Sequence, residues 1–451
     1  MDGEAQRRIR AWYLFDWANQ PYNTLLLTFL FAPYFASAVA PDPVSGQAMW
    51  GWMLAITGLC IAVSAPVMGA IADSAGRWRP WLGLWSVLYV VGATGLWWAA
   101  PGMEAPWLIL IAFAIGMVGL EFGIVFVNAL LPGLAPREAL GRISGTGWAI
   151  GYIGGVVSLA ITLLFLAEGE DGRTLIGLAP PFGLDPEARE GTRAVGPFSA
   201  LWYVVFALPL FFAIPEHPAR PRRQGAVRKG LAELWGTLRA LPRHPSLLAY
   251  LGSSMFYRDA LNGIFAFGGI YAAGVLGWSV VQIGIFGIVA ALVGALGCWV
   301  GGRADSAFGP RPVIAICIVA LIGVCLVVLG TDRSMVLWVP LAPGSAAPDI
   351  AFYLCGAAIG AAGGALQAAS RTMMVRQANP ARMTEAFGLY ALSGKVTSFL
   401  APGLVALATQ LSGDQRLGVA PLVVLFLIGL GLLYLVKPEG ERAEAWHTPT
   451  G

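Results

Sequence analysis

The sequence has few charged residues for its length. Only 12% of its 451 residues are Asp, Glu, Lys or Arg, whereas a soluble globular protein carries about 25%. Hydrophobic residues make up 57% of the chain, and they occur in runs of about 20, the length that crosses a bilayer as a helix. The scarcity of charge therefore argues against an ordinary soluble domain and predicts an all-α polytopic membrane protein.

Histidine and cysteine are also scarce, and neither is arranged as a set of ligands. The three histidines lie outside the apolar runs, and the five cysteines lie inside them without a CxxC pair. We therefore expect no metal site, no cofactor and no disulfide framework. An enzyme is not expected either, because the sequence shows no cluster of a nucleophile with its base.

One stretch has a superficial likeness to a phosphate-binding loop. In Ser393-Gly394-Lys395-Val396-Thr397 the residue after the lysine is Val, whereas a P-loop needs Ser or Thr at that position. The stretch also lies within an apolar run, so an ATP-driven pump is disfavoured.

The apolar runs number twelve, six on each side of a basic segment. They predict an N-terminal six-helix bundle (1–214), a cytoplasmic linker with a possible surface helix (215–245), a C-terminal six-helix bundle (246–437) and a cytoplasmic tail (438–451). A regulatory partner for the linker is an open alternative. The predicted spans are 12–37, 49–72, 80–100, 107–132, 143–167, 198–214, 246–274, 279–302, 312–330, 350–376, 384–410 and 418–436.

Basic residues are distributed unequally between the two sets of connecting segments. With the N-terminus inside, 20 of the 28 Lys and Arg residues face the cytoplasm, five face the opposite side and three lie within spans. The positive-inside rule then places both ends in the cytoplasm. We expect a monomer in the cell inner membrane, with a first span that is retained as its own insertion signal. The net charge of +3 requires no nucleic-acid partner.

A twelve-residue phrase occurs twice in the chain, 232 residues apart. Residues 69–80 read GAIADSAGRWRP and residues 301–312 read GGRADSAFGPRP, with seven identical positions. Each copy ends one apolar run and opens the next. An internal repeat of half the chain is typical of membrane transporters.

Polar and charged residues in the middle of the spans are the candidates for a substrate or coupling site. A charge at the bilayer centre costs about 2.5–3.5 kcal/mol on insertion scales, so each one requires a reason. The candidates lie on five spans and are Asp16, Asn19 and Asn23; Glu121 and Asn128; Arg258, Asp259 and Asn262; Gln367 and Arg371; and Tyr390 and Lys395.

Each candidate has a structural alternative that the sequence leaves open. Asp16 lies near the interface, where it serves equally well as a cap, and Arg371 is close enough to the cytoplasmic end to snorkel. Lys395 can act as a counter-ion for Glu121 or Asp259. Arg258 and Asp259 are neighbours that project in different directions, a pair suited to a zwitterion.

The first copy of the phrase resembles the loop motif between helices 2 and 3 of the major facilitator superfamily. Gly69, Asp73, Gly76 and Arg77 match that motif's spacing, whereas the second copy has Phe308 and Gly309 at the positions of its Gly and Arg. The resemblance implies a cytoplasmic gate. Asp73 would lie at a helix N-terminus and hold Arg77 or Arg79; the gate residues are Gly69, Asp73, Gly76, Arg77, Arg79, Asp305 and Arg311.

Longer segments resemble the "unknown major facilitator" branch, which includes the autophagy-related vacuolar amino-acid effluxers of fungi. These segments are LFDWAN at 14–19, NALLP at 128–132, GTGWAIGY at 145–152 and FGLYALSGK at 387–395. The resemblance implies twelve helices in two pseudo-symmetric bundles around a central cavity lined mainly by helices 1, 4, 7 and 10.

The function expected from these features is secondary active transport by alternating access. The expected substrate is a small polar solute, best an amino acid or short peptide, with efflux and proton coupling through Glu121 or Asp259 as hypotheses. Two alternatives stay open, a lipid or drug flippase or exporter and a non-transporting membrane sensor on the same fold.

Overall fold

The structure, a computed structural model, describes residues 3–75, 77–169, 172–215, 226–278 and 280–441, and helices dominate them. The longer helices are α1 (Gly3–Pro21), α2 (Pro43–Ala75), α3 (Arg79–Gly95), α4 (Trp107–Leu130), α5 (Arg137–Phe165), α6 (Val195–Ala213), α7 (Ala226–Ala240), α8 (Pro245–Gly274), α9 (Val280–Phe308), α10 (Pro310–Leu329), α11 (Ala347–Gln377), α12 (Met383–Val396), α13 (Leu400–Ser412) and α14 (Ala420–Tyr434). Two short strands, β1 (Met335–Val336) and β2 (Val339–Pro340), form an antiparallel hairpin.

Eleven helical segments among the described residues are long and apolar enough to cross a membrane. Of the twelve predicted spans, the seventh falls outside this set, and α8 occupies it. It has 30 residues, or about 45 Å at 1.5 Å per residue, so its length is sufficient. Ser253, Ser254, Arg258, Asp259 and Asn262 lower its hydropathy. The span with the most polar centre is thus the one whose mean hydropathy least resembles that of a membrane helix.

The sequence predicted one continuous helix for the first span, but the structure shows several helical pieces. The span begins at Gly3, earlier than expected, and continues past Pro21 as a π-helix over Tyr22–Phe29, a short α-turn over Phe31–Tyr34 and a second π-helix over Phe35–Val39. π-helical turns are wider than α-helical turns and are often found at functional sites. Asn23, which lies in the first π-helix, therefore does not follow Asp16 and Asn19 at α-helical spacing.

The eleventh span is also interrupted, between α12 and α13. The α-helix ends at Val396 and resumes at Leu400, although the sequence predicted a single helix over 384–410. Pro402 lies in the first turn of α13, where its missing N–H costs little. Because a continuous helix would place that proline against the carbonyl of residue 398, the break relieves a clash.

Close contacts at glycines set the spacing of several helices. A Cβ added at Gly154 would lie 3.1 Å from the Trp17 ring, and one at Gly155 would lie 2.6 Å from the Thr24 hydroxyl. On α11, a Cβ at Gly360 would lie 2.0 Å from the Ala290 carbonyl oxygen. These glycines therefore allow close packing of the helices, as small residues do in membrane proteins.

The chain divides into two compact units. The first contains Met1–Ala65, Ser74–Leu130 and Ile150–Ala226, and the second contains Pro66–Asp73, Leu131–Ala149 and Val227–Gly451. Helices α2 and α5 are divided between them, since the last part of α2 and the first part of α5 group with the second unit. The second unit therefore includes both copies of the Ala-Asp core of the repeated phrase.

Candidate functional site

The first copy of the phrase ends α2 against the start of α12. The Asp73 carboxylate accepts hydrogen bonds from the backbone N–H groups of Glu385, at 2.8 Å, and Thr384, at 3.3 Å. The first N–H groups of a helix have no partner within the helix and carry a partial positive charge. Gly69 lies one turn earlier, where an added Cβ would be 2.5 Å from the Thr384 carbonyl oxygen. Asp73 thus caps α12, and Gly69 permits the approach.

The second copy ends α9 against the start of α5. The Asp305 side chain lies against Gly141, where an added Cβ would be 2.5 Å from the carboxyl carbon. The neighbouring Ser306 hydroxyl accepts the N–H of Arg142 at 2.8 Å, and Thr372 on α11 donates its hydroxyl to Asp305 Oδ2. The other carboxylate oxygen, Oδ1, is buried without a hydrogen-bond partner among the described residues. Asp305 is therefore held less completely than Asp73.

The basic residues of the two copies contact backbone carbonyls and rings. Asp73 was the partner expected for Arg79; the partner that the structure gives is the Ile214 carbonyl, at 2.8 Å. Arg311 in the second copy donates to the Tyr434 carbonyl at 2.7 Å. Arg77 is exposed, and Gly76 lies outside the described residues.

Arg258 and Asp259 diverge from the middle of α8. The Arg258 guanidinium lies 4.1 Å from the centre of the Tyr390 ring and donates to the Tyr390 carbonyl at 2.8 Å. It also packs on Gly394, where an added Cβ would be 2.5 Å from the guanidinium carbon. Arg258 remains partly accessible. It therefore presents a cation beside an aromatic ring at the surface of the second unit.

Asp259 points to the break in the eleventh span. Its Oδ2 accepts the N–H of Ala401 at 2.8 Å, in the first turn of α13. The side chain is fully buried, and Oδ1 has no hydrogen-bond partner among the described residues. An unsatisfied buried carboxylate oxygen is costly. Asp259 thus caps a half-helix inside a span and keeps one oxygen available to a further donor.

Sequence reasoning missed the hydroxyl cluster beside Arg258. Tyr257 shares a hydrogen bond of 2.7 Å with the Ser370 hydroxyl, and Tyr250 donates to the Ser370 carbonyl at 2.5 Å. The Tyr250 and Tyr390 rings are parallel, with centroids 6.2 Å apart. The signal in the sequence was the seven-residue spacing of Tyr250 and Tyr257, which places both on one face of a helix. The cluster joins α8, α11 and α12.

The other candidates of the second unit do not all join this cluster. Asn262 is exposed, whereas Asp259 is buried. Gln367 is half-buried on α11, and Lys395 is half-buried at the end of α12. Arg371 is only 5% exposed and lies 5.4 Å from the Trp148 ring centre. The snorkelling alternative for Arg371 is therefore wrong.

The candidates of the first unit lie on α1, its π-helical extension and α4. Asn19 is 4% exposed, while Asp16 and Asn23 are half-buried. The Asp16 backbone packs on Gly151, and the Asn23 carbonyl accepts the Thr28 hydroxyl at 2.8 Å within the π-helix. Glu121 and Asn128 are both half-buried on α4. The structure thus confirms neither Asp16, Asn19 and Asn23 nor the α4 pair as a site.

An ion cluster outside the spans joins the loop after α10 to the loop after α13 in the second unit. Arg416 contacts Asp414 at 2.9 Å and Asp332 at 2.6 Å. Hydrogen bonds from Arg416 hold the pKa of Asp414 below its usual value. Burial alone would raise the pKa of Asp332, but hydrogen bonds from Ser334 and the Arg416 charge lower it. Among the described residues, no group of three His, Cys, Asp or Glu side chains is placed to hold a metal ion.

The helical architecture matches that of solved transporters along nearly the whole chain. A transporter of the major facilitator superfamily, FucP in the outward conformation, superposes with a TM-score of 0.68 over 96% of this chain and 98% of its own, at 13% identity. The proton:xylose symporter XylE gives a TM-score of 0.68 over 98% of both chains, at 12% identity. These similarities establish the fold and define the class, a membrane protein with the major facilitator fold.

The sequence comparisons narrow the class to a family. A family model described as "Vacuole effluxer Atg22 like" matches residues 38–446, so the chain belongs to the Atg22-like family of major facilitator transporters. A relative from Bacillus subtilis (strain 168), the "Uncharacterized MFS-type transporter YxiO", is 24% identical over 95% of this chain and 94% of its own length. Autophagy-related protein 22 of Cryptococcus neoformans is 24% identical over 67% of this chain, which spans about half of that protein (52%).

Proposed function

We propose that this transporter moves a small polar solute, best an amino acid or a short peptide, by secondary active transport, with export as the favoured direction. The observation that carries the proposal is the divergent pair Arg258 and Asp259 on α8. Arg258 offers an accessible cation beside Tyr390, while Asp259 keeps a buried, unpartnered carboxylate oxygen. The family description and the fungal relatives named above support efflux.

The Arg258 guanidinium suits the carboxylate of such a solute. Its planar fork forms two parallel hydrogen bonds with a carboxylate, and the Tyr390 ring restricts its orientation. One of its N–H groups is already held by the Tyr390 carbonyl at 2.8 Å, which reduces the entropy that binding would cost. Neighbouring hydroxyls of Tyr257 and Ser370 add polar character to the same region.

Asp259 suits a coupling role rather than direct substrate binding. It is fully buried, and its charge is balanced by one backbone N–H at the start of α13. A proton bound at Oδ1 would remove the cost of the buried charge. Half-helix ends in a broken span are recurrent sites for coupling ions in transporters. We therefore assign proton coupling to Asp259 first and to Glu121 second.

The repeated phrases suit the cytoplasmic gate of an alternating-access cycle. Asp73, on α2 of the N-terminal half of the sequence, accepts backbone N–H groups of α12 in the C-terminal half. At the second copy, Ser306 beside Asp305 accepts the N–H of Arg142 on α5 of the N-terminal half. Such contacts must separate whenever the cytoplasmic side opens. The excess of basic residues in these connections favours an inner-membrane protein with both termini in the cytoplasm, acting as a monomer.

Counterflow in proteoliposomes tests the substrate. The full chain is reconstituted and exchange is measured for amino acids, dipeptides, sugars and lipids. Arg258→Gln is expected to weaken binding of carboxylate-bearing substrates about tenfold to a hundredfold, the loss of about 1.5–3 kcal/mol for a charged hydrogen bond. Arg173→Gln, on an exposed loop, is the matched control. A response to lipids alone would contradict the proposal.

Coupling is tested separately from substrate binding. Asp259→Asn is expected to preserve counterflow, which needs no net proton movement, while abolishing accumulation driven by a pH gradient. Glu121→Gln is measured in parallel. Normal uphill transport by both variants would exclude both carboxylates as the coupling site.

A further inference from the structure

Helix α7, between the sixth and seventh spans, exposes an apolar stripe. Leu231, Trp235 and Leu238 follow one another at the i, i+4, i+7 spacing of a single helical face. They are exposed by 43%, 56% and 38%. The helix has 15 residues, or about 22 Å at 1.5 Å per residue, which is too short to cross a bilayer. These side chains are therefore exposed outside any membrane-spanning segment.

The adjacent face of α7 is docked on the second unit. Leu234 is only 7% exposed, and the Thr237 hydroxyl accepts a hydrogen bond of 3.2 Å from Arg382. This contact fixes the rotation of α7 about its axis. The orientation of the apolar stripe is therefore set by the fold.

The charges around the stripe indicate which surface covers it. The Arg239 guanidinium lies 4.9 Å from the centre of the Trp235 ring. The segment 215–245 contains seven basic residues and two acidic ones. Trp at the boundary and cations above it are the pattern of a helix that lies in the headgroup region of an anionic leaflet. The positive-inside distribution assigns this segment to the cytoplasmic leaflet.

The docked face connects α7 to the start of α12. Arg382, which donates to Thr237, also forms an ion pair with Glu385. The Glu385 N–H is one of the two that Asp73 accepts. Three contacts thus lead from α7 to the first copy of the repeated phrase.

We propose that α7 binds anionic phospholipids of the cytoplasmic leaflet and that this binding stabilises the contact between Asp73 and α12. The acyl chains of the lipid would contact Leu231, Trp235 and Leu238, and its anionic headgroup would contact Arg239. Because Arg382 holds both Thr237 and Glu385, fixing α7 on the membrane restricts the first turn of α12.

Hydrogen exchange of the full chain in nanodiscs tests lipid binding without requiring transport. Exchange in 226–240 is compared between phosphatidylcholine alone and phosphatidylcholine mixed with phosphatidylglycerol. Each basic residue near an anionic surface contributes about 1 kcal/mol, or about fivefold, so exchange should slow severalfold in the anionic discs. Equal exchange in both discs would overturn the proposal.

Two pairs of substitutions locate the lipid contact. Leu231→Gln with Trp235→Gln should abolish the lipid-dependent slowing, while Trp98→Gln, another exposed tryptophan, should leave it intact. A second basic surface, a 430 Å³ pocket whose lining includes Arg7 and Arg10, is neutralised in Arg7→Gln with Arg10→Gln. If that variant removes the slowing in 226–240 and the α7 variant does not, the assignment to α7 is wrong.

Thr237→Val tests the connection to α12. The substitution removes the acceptor of the Arg382 hydrogen bond but leaves the exposed stripe unchanged. We expect the lipid-dependent slowing to persist in 226–240 and to disappear at the Thr384 and Glu385 amides. A lipid response at those amides equal to that of the unsubstituted protein would refute the coupling.

Discussion

The two copies of the repeated phrase place the same acid in different surroundings. Asp73 accepts two backbone N–H groups at the start of α12, whereas Asp305 accepts one side-chain hydroxyl, from Thr372, and leaves one buried oxygen without a partner among the described residues. Backbone donors are insensitive to most substitutions, while a hydroxyl donor is lost by a single one. The two aspartates therefore occupy equivalent positions in the repeat but accept hydrogen bonds from different kinds of donor.

The basic residue of the phrase also differs between the copies. The second copy has Gly309 where the first has Arg77, and Gly309 adopts a φ of +86°, a conformation that favours glycine. A Cβ placed there would lie 3.5 Å from the guanidinium of Arg376 on α11, which pairs with Glu439. In the second copy, the Arg376 guanidinium from α11 therefore lies beside Gly309, the position that Arg77 occupies in the first copy.

Glycine substitutions give the largest expected effect on both copies. A Cβ at Gly69 would lie 2.5 Å from the Thr384 carbonyl oxygen, and one at Gly145, on α5, would lie 2.6 Å from the Cα of Gly302 in the second copy. We expect Gly69→Val and Gly145→Val each to cost about 3 kcal/mol through overpacking, measured as a lowered Tm of the purified protein. Gly83→Val, in open space on α3, is the control. Equal Tm values for all three would contradict the close approach.

The sequence predicted the helical fold and the position of each copy between two apolar runs, because long apolar runs and a repeat with seven of twelve identical positions are strong signals. It could not predict the partners of Asp73 and Asp305, since those lie on other helices and depend on packing. The π-helical turns after Pro21 and the break at 397–399 were missed for the same reason, although Pro402 signalled the break. The sequence proposed Arg258, Asp259 and Tyr390 as candidates, but it did not indicate the contacts of Tyr250 and Tyr257 with Ser370, because those contacts join different helices.

Neutralising each aspartate in turn is expected to have a smaller effect than the glycine substitutions, and one that differs between the two copies. Asp73→Asn removes the negative charge at a helix N-terminus and is expected to cost about 2 kcal/mol, seen as faster exchange of the Thr384 and Glu385 amides. Asp305→Asn should cost less than 1 kcal/mol, because it removes a buried charge with an unpartnered oxygen. A larger effect at Asp305 than at Asp73 would reverse the comparison.

Removing the hydroxyl donor tests the second copy alone. Thr372→Val keeps the side-chain shape but deletes the hydrogen bond to Asp305, so we expect a cost of about 1 kcal/mol. The readout is exchange of the Arg142 amide, which donates to Ser306 beside Asp305. In an Asp305→Asn background the same substitution should cost less, because the charge that the hydroxyl serves is absent. Equal costs in both backgrounds would show that Thr372 does not act through Asp305.

The smallest expected effect concerns the ion pairs of Glu439. Its carboxylate pairs with Arg376 and lies 3.9 Å from Arg137 at the start of α5, and its side chain is 66% exposed. Exposed ion pairs contribute about 0–1 kcal/mol and are screened by salt. Glu439→Gln should therefore accelerate exchange of the Arg142 amide slightly at low salt and not at high salt. Because Glu439 belongs to the second copy's surroundings, the Thr384 and Glu385 amides should not respond; a matching response there would mean that the two copies act as one unit.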